Sequence, residues 1–167
     1  MMGTAYLSLG SNVEAEKHIA AAFAALRERF PGARFSAVYR TRAVGFDGAD
    51  FLNAAARIES DLDPYALDAW LHALEDAHGR DRSGPRFGDR TLDIDLVLYD
   101  DLVLEGLGHL QLPRAELRHA FVLRPLAEIA PDAVEPRSGL TLTQLWVRSP
   151  ERAAPMELVS DIDLLGR

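Results

Sequence analysis

The chain has 167 residues, 48% of them hydrophobic and 26% charged, with a formal net charge of -8. That size and balance give one soluble domain with a core of its own, and the acidic excess speaks against a nucleic-acid binder, which needs a basic footprint. There is no cysteine, so disulfides, thiolate metal sites and cysteine nucleophiles are excluded. The first residues, MMGTAYLSLGSN, lack the basic segment and long apolar core of a signal peptide. The longest apolar run, IAAAFAAL at 19–26, is far too short to span a bilayer. A cytoplasmic protein is expected, bound neither to membrane nor to nucleic acid.

In chain order, Thr4–Leu9 alternates weakly and ends in Gly-Ser-Asn, the pattern of a strand, a turn and a helix cap. Residues 14–30 form a helix by period, with Ile19, Phe23 and Leu26 on one face and Pro31-Gly32 as the stop. A strand over 34–39 and a polar loop over 41–50 follow. Residues 51–59 alternate again, with Leu52, Ala54, Ala56 and Ile58 facing one way. Asp63 caps a helix that starts at Pro64 and runs to His78, with Leu67, Trp70, Leu71 and Leu74 on its apolar stripe. His72 and His78, six apart on that helix, are read as surface residues. Residues 79–89 are a polar, arginine-rich loop, and 92–99 a strand. Short elements are expected at 102–105 and 109–112, then helices over 121–128 and 141–147.

The β-α-β-β-α-β order predicts an α+β fold, a ferredoxin-like sandwich with an antiparallel sheet. Its helices would lie on one face and the active site on the other. The catalytic unit is taken as residues 1–148, with 149–167 a tail of unassigned structure.

The strand at 92–99 carries an oddity. Leu92, Ile94, Leu96 and Leu98 alternate as a core face, yet Asp93 and Asp95 share the opposite face. Aspartate is depleted in strands, and like charges on one strand face repel. Side chains at i and i+2 lie roughly 6–7 Å apart along a strand, a spacing at which two carboxylates hold one hard cation or a pair. A solvated sheet face is the alternative. Four arginines just upstream, Arg80, Arg82, Arg86 and Arg90, favour a metal and polyphosphate site. No P-loop, dinucleotide fingerprint, H-E-x-x-H or G-x-S-x-G is present. Asn53 sits mid-strand on the same face as Phe51. It is either an exposed amide or a reader of a flat heterocycle, to which an amide offers donor and acceptor together and a phenyl ring a stacking face. Phe87 and Phe121 are further candidates for an aromatic clamp.

Several motifs in order resemble the 6-hydroxymethyl-7,8-dihydropterin pyrophosphokinase family. They are Leu9-Gly10-Ser11-Asn12, Phe51-Leu52-Asn53-Ala54, Glu75 with Gly79-Arg80-Asp81-Arg82, Arg90-Thr91-Leu92-Asp93-Ile94-Asp95-Leu96-Val97-Leu98-Tyr99, and Phe121-Val122-Leu123-Arg124-Pro125-Leu126 followed by Ile129-Ala130-Pro131. The resemblance implies a folate-pathway transferase that moves the β,γ-diphosphoryl unit of ATP to the pterin hydroxymethyl oxygen, leaving AMP. It implies two Mg²⁺ ions on Asp93 and Asp95, with Asp95 also counted among the catalytic residues beside Arg80, Arg82 and Arg90. The expected ATP contacts are Glu75, Arg82, Arg86, Arg90 and Arg114. The pterin would meet Thr41, Val44, Gly45, Phe51, Asn53, Phe87 and Phe121. The chain departs from the family pattern at Pro113-Arg114, where Pro-His is usual, at Gly88-Asp89-Arg90, where Gly-Pro-Arg is usual, and in the 41–45 loop, which lacks a proline. Two rivals of other classes are a regulatory module that binds a nucleotide without turnover and a two-metal hydrolase.

Overall fold

The computed structural model describes residues 2–43, 48–79, 91–106, 108 and 110–159. Three elements make the frame: β1 (Gly3–Ser11), α1 (Ala15–Arg29), and a second strand region split into β2 (Arg34–Phe35) and β3 (Tyr39–Thr41). Then come β4 (Phe51–Ser60), α2 (Pro64–Ala77) and β5 (Asp93–Tyr99). The sheet order is β5-β1-β4-β3, and every pairing among these strands is antiparallel. The result is an antiparallel sheet combined with helices. No helix among the described residues is long and apolar enough to cross a membrane.

The helices follow from their sequences. Asp63 accepts the Ala66 N–H at 2.8 Å and Pro64 opens α2, as a cap and first-turn proline should. From α1, Ile19, Phe23 and Leu26 pack on Leu7, Leu9, Ala54, Ala56, Ile58, Ile94 and Leu96 in the main core, joined by Leu67 and Leu71 of α2. The expected cap of α1 is not at Gly10-Ser11-Asn12. Its first residue is preceded by Glu14, whose φ of 44° is left-handed and whose side chain makes no cap bond. Ser11 and Asn12 instead tie loops together: the Ser11 hydroxyl donates to the Thr91 carbonyl, and Asn12 Nδ2 donates to the Ala49 carbonyl at 3.1 Å.

Three further features differ from the sequence reading. First, the strand expected over 34–39 is broken. Ser36 N–H donates to the Ala55 carbonyl and Ser36 Oγ accepts the Ala55 N–H, so a side chain replaces a rung of the ladder. Second, β5 does not alternate to its end. Leu7 pairs with Leu96 and Tyr6 with Leu98, which leaves Val97 as a bulge. Beyond it the faces exchange, so Leu98 leaves the main core and Tyr99 joins it.

Third, the helices do not lie on one face alone. After a small hairpin of β6 (Leu104–Glu105) and β7 (Gln111–Leu112) come α3 (Ala120–Ile129) and α4 (Leu142–Val147). Val122, Leu123 and Leu126 of α3 and Leu142 of α4 form a second core with Ala55, Val97 and Leu98. Ala55 points away from its neighbours Ala54 and Ala56, so this core covers the opposite face. The apolar stripe of α3 needs a partner, and the small Ala55 with the displaced Leu98 supplies one. The face expected to be open is therefore half closed. Residues 149–159 also have a defined course and include β8 (Glu157–Leu158), which pairs with Tyr39 and Arg40 at the edge of the sheet; residues 160–167 of the expected tail lie outside the described residues.

Candidate active site

Register across the sheet sets the site. Gly10 of β1 faces Asn53 on one side and Asp93 on the other. One row along, Ser8 faces Ala55 and Asp95. Thr41 pairs with Phe51. Strand parity puts Thr41, Phe51, Asn53, Asp93 and Asp95 on one face. Gly10 lies in the middle of it and leaves the floor bare. A Cβ there would sit 3.3 Å from Asn53 Oδ1 and 3.8 Å from Phe51 Cδ1. The LGSN motif was the sequence signal for Gly10, but only the register gives it this place.

The two aspartates have a third companion. β5 is the edge strand, and its Ile94 N–H points out of the sheet to Glu75 Oε2 at 2.9 Å. Glu75 is 2% exposed, the last buried residue of α2. Carboxylate oxygens of Glu75, Asp93 and Asp95 all lie within 4.8 Å of one another. Three acids this close repel. Burial pushes the Asp95 carboxyl up to about 8; Asp93 adds to the rise, Arg114 opposes it and Glu75 adds again. Arg114 Nη2 stands 3.5 Å from Asp95 Oδ1, while its Nε lies 3.1 Å from Glu116 Oε2. The bulge holds Arg114 there, since the Val97 carbonyl accepts the Arg114 N–H at 3.0 Å.

The amide side of the face is also ordered. Asn53, 5% exposed, donates from Nδ2 to Thr41 Oγ1 at 2.7 Å. That bond fixes which way the amide points. Tyr39, next to Asn53 in the register, gives its hydroxyl to Glu128 of α3 at 2.5 Å, and the Arg124 guanidinium lies over its ring. Burial and the Glu128 carboxylate push the Tyr39 hydroxyl up to about 12, so it stays a donor. Phe121 lies in the first turn of α3, its ring stacked on His119 with centroids 5.2 Å apart and planes 9° apart.

The structure thus gathers Asp93, Asp95, Glu75 and Arg114 at one strand edge, and Thr41, Phe51 and Asn53 beside them on the same face. Val44, Gly45, Arg80, Arg82, Arg86, Phe87 and Arg90 lie outside the described residues. The two helix histidines are not both surface groups. His78 is half-buried, and its Nδ1 meets Nδ1 of the buried His18 at 2.6 Å. Burial first, then His18, holds the His78 imidazole below its usual range.

A family model described as 7,8-dihydro-6-hydroxymethylpterin-pyrophosphokinase matches residues 6–131, three quarters of the chain. The chain belongs to this family. Membership makes it an enzyme of the pyrophosphokinase class. Among relatives named 2-amino-4-hydroxy-6-hydroxymethyldihydropteridine pyrophosphokinase, one from Synechocystis sp. is 44% identical over 113 residues, covering 67% of this chain and 57% of that protein. Another, from Pseudomonas aeruginosa, is 38% identical over 156 residues, covering 90% of this chain and 94% of its own. The chain is also similar to the crystal structure of Plasmodium falciparum HPPK-DHPS wild type with pterin and p-hydroxybenzoate. The TM-score is 0.71 at 14% identity, over 91% of this chain and 44% of that one. At that identity the likeness shows the fold.

Proposed function

We propose that the chain transfers the β,γ-diphosphoryl unit of ATP to the hydroxymethyl oxygen of 6-hydroxymethyl-7,8-dihydropterin, releasing AMP, as a Mg²⁺-dependent step of folate biosynthesis. The fold assigned with this reading is the ferredoxin-like sandwich. One observation carries the proposal: three carboxylates with oxygens within 4.8 Å stand on the rim of a face that also bears an oriented buried amide. Carboxylates this close repel unless a proton or a cation lies among them, and the donor set fits a cation. All three groups offer hard carboxylate oxygens, which suit Mg²⁺.

In this reading Asp93 and Asp95 hold the metal, and Glu75 fixes their strand while adding charge to the site. Mg²⁺ held by Asp93 and Asp95 would supply positive charge against the polyphosphate and polarise its phosphoryl groups. Arg114 lies 3.5 Å from Asp95 and turns its guanidinium to the triphosphate once the acids have another counter-ion. Arg80, Arg82, Arg86 and Arg90, which precede β5 in sequence, take the remaining phosphate charge. The pterin edge is read by Asn53 with Thr41, whose mutual hydrogen bond pre-orients the amide, and by the Val44–Gly45 backbone. Phe51, Phe87 and Phe121 offer ring faces for stacking. No residue needs to form a covalent intermediate. Holding the hydroxymethyl oxygen in line with the Pβ–O bond to AMP is the larger part of the catalysis.

The test is the nucleotide product. Purified protein with ATP, Mg²⁺ and the dihydropterin is expected to yield AMP and a pterin diphosphate in equal amounts. ADP as the product contradicts the diphosphoryl transfer, and ATP consumption independent of pterin points to a hydrolase.

A further inference from the structure

The segment after α4 reaches back to the start of α3. Glu151 Oε1 accepts the Ala120 N–H at 3.1 Å, and Glu151 Oε2 meets His119 Nδ1 at 3.2 Å. Helix α3 lacks a cap of its own, because His119 sits at the cap position in extended conformation and makes no side-chain cap bond. First-turn N–H groups have no partner within a helix and need one from outside. Here a carboxylate 31 residues away in sequence provides it. The Ala120 N–H in turn holds the Glu151 carboxyl below the usual range, with His119 adding to the effect.

Glu151 is itself fixed. Its N–H donates to Ser149 Oγ at 3.1 Å and its carbonyl accepts the Ala154 N–H at 2.8 Å. Both bonds belong to a turn that leaves α4 directly. The carboxylate therefore arrives from a rigid support.

What Glu151 holds is the imidazole that lies parallel to Phe121. A ring stacked at 5.2 Å and 9° lies parallel to the phenyl group, offset along it, and restrains its plane. Phe121 is also half-buried against the second core, which restrains the ring further. We infer that Glu151 is a positioning residue for the pterin: through the His119 ring and the first turn of α3 it sets the plane of Phe121 before the substrate arrives. This rests on the placement of the pterin against Phe121 proposed above.

The design has a thermodynamic consequence. A ring held in its bound orientation loses little freedom on binding, so the gain falls on pterin affinity and not on the chemical step. Glu151→Ala removes both the cap and the imidazole contact. Glu151→Gln keeps an oxygen for the Ala120 N–H and loses the charge that faces His119.

The experiment is a double-mutant cycle in steady-state kinetics with Glu151→Ala, Glu151→Gln, Phe121→Ala and the Glu151→Ala/Phe121→Ala pair. Glu151→Ala is expected to raise KM for the pterin by about tenfold, the scale of one lost cap, with kcat and KM for ATP within about twofold of the parent. Glu151→Gln should show a smaller rise in the same constant. In the Phe121→Ala background the Glu151 substitution should have no further effect, because its influence passes through that ring. A merely structural cap would act equally in both backgrounds, and that result overturns the inference. So does a pterin KM unchanged in Glu151→Ala while Phe121→Ala raises it. A Phe121→Ala protein with normal pterin KM removes the pterin placement itself, and the inference with it. If Glu151→Ala does not fold, the Glu151→Gln arm decides: an unchanged pterin KM there overturns the proposal.

Discussion

The Glu75 carboxylate accepts the backbone N–H of Ile94 at 2.9 Å, the residue between the two aspartates of β5. One helix residue thus fixes the edge strand and adds a third carboxylate beside Asp93 and Asp95. The two roles pull against each other. The hydrogen bond stabilises the fold, while the charge destabilises the site until a cation is present.

Substitutions at Glu75 separate those roles. Glu75→Ala leaves a buried N–H without a partner and is expected to cost about 1–3 kcal/mol of unfolding free energy. Glu75→Gln keeps an acceptor for Ile94 and should cost less than about 1 kcal/mol, yet it removes charge and should weaken Mg²⁺ binding measured by calorimetry. Equal stability of the two variants in urea titrations would mean that the Ile94 bond contributes nothing.

The pH dependence of the metal-free protein reports on Asp95. Its carboxyl is raised from 3.8 to about 8 in the folded protein. A raised folded-state value means that the native state binds the extra proton across that interval. The group's contribution to stability is therefore whole below about pH 4 and is lost as pH rises through about 8. Asp95→Asn abolishes this loss. Without Mg²⁺, the stability of the variant relative to the parent should grow between pH 5 and pH 8. Parallel denaturation profiles across that range would contradict the crowding of the three acids.

Asn53→Ala removes an oriented amide from a buried position. Pterin affinity is expected to fall by about 1–3 kcal/mol, with ATP affinity little changed. Calorimetric titration with each ligand separately decides this, and equal weakening of both would place Asn53 elsewhere.

Gly10 gives a steric counterpart. Its Cβ in Gly10→Ala would come 3.3 Å from Asn53 Oδ1, an atom whose amide is already tied to Thr41. The amide must turn by a few tenths of an ångström, so pterin KM is expected to rise several-fold, about 1 kcal/mol, while the melting temperature hardly moves. An unchanged pterin KM would show that the amide adapts freely.

Much of this was legible in the sequence, for physical reasons that also explain the misses. Periodicity places α1, α2 and the long strands because each buries a regular face. The acid pair stood out because aspartates are costly on a strand. Register was not legible, so Gly10 could not be placed between Asn53 and Asp93. The Val97 bulge carries no glycine or proline to announce it. Glu75 entered the sequence reading as an ATP contact through the resemblance, but its bond to the Ile94 N–H was not legible, since that partner lies 19 residues away and is a backbone group. The second helical layer was missed because an apolar stripe on α3 does not say which sheet face it will cover. Residues 157–158 pair with a strand over a hundred residues earlier, too short a match for any pattern to reveal.

The most direct test of the acid cluster is the melting temperature with Mg²⁺, with a non-hydrolysable ATP analogue, and with both. Ligands that bind only the folded state stabilise it, and here each completes the other's site. In the parent protein the joint shift should exceed the sum of the separate shifts. In the Asp93→Asn/Asp95→Asn double variant that excess should vanish. If the double variant keeps the full Mg²⁺-dependent shift, the two aspartates are only a solvated strand face and the metal site lies elsewhere.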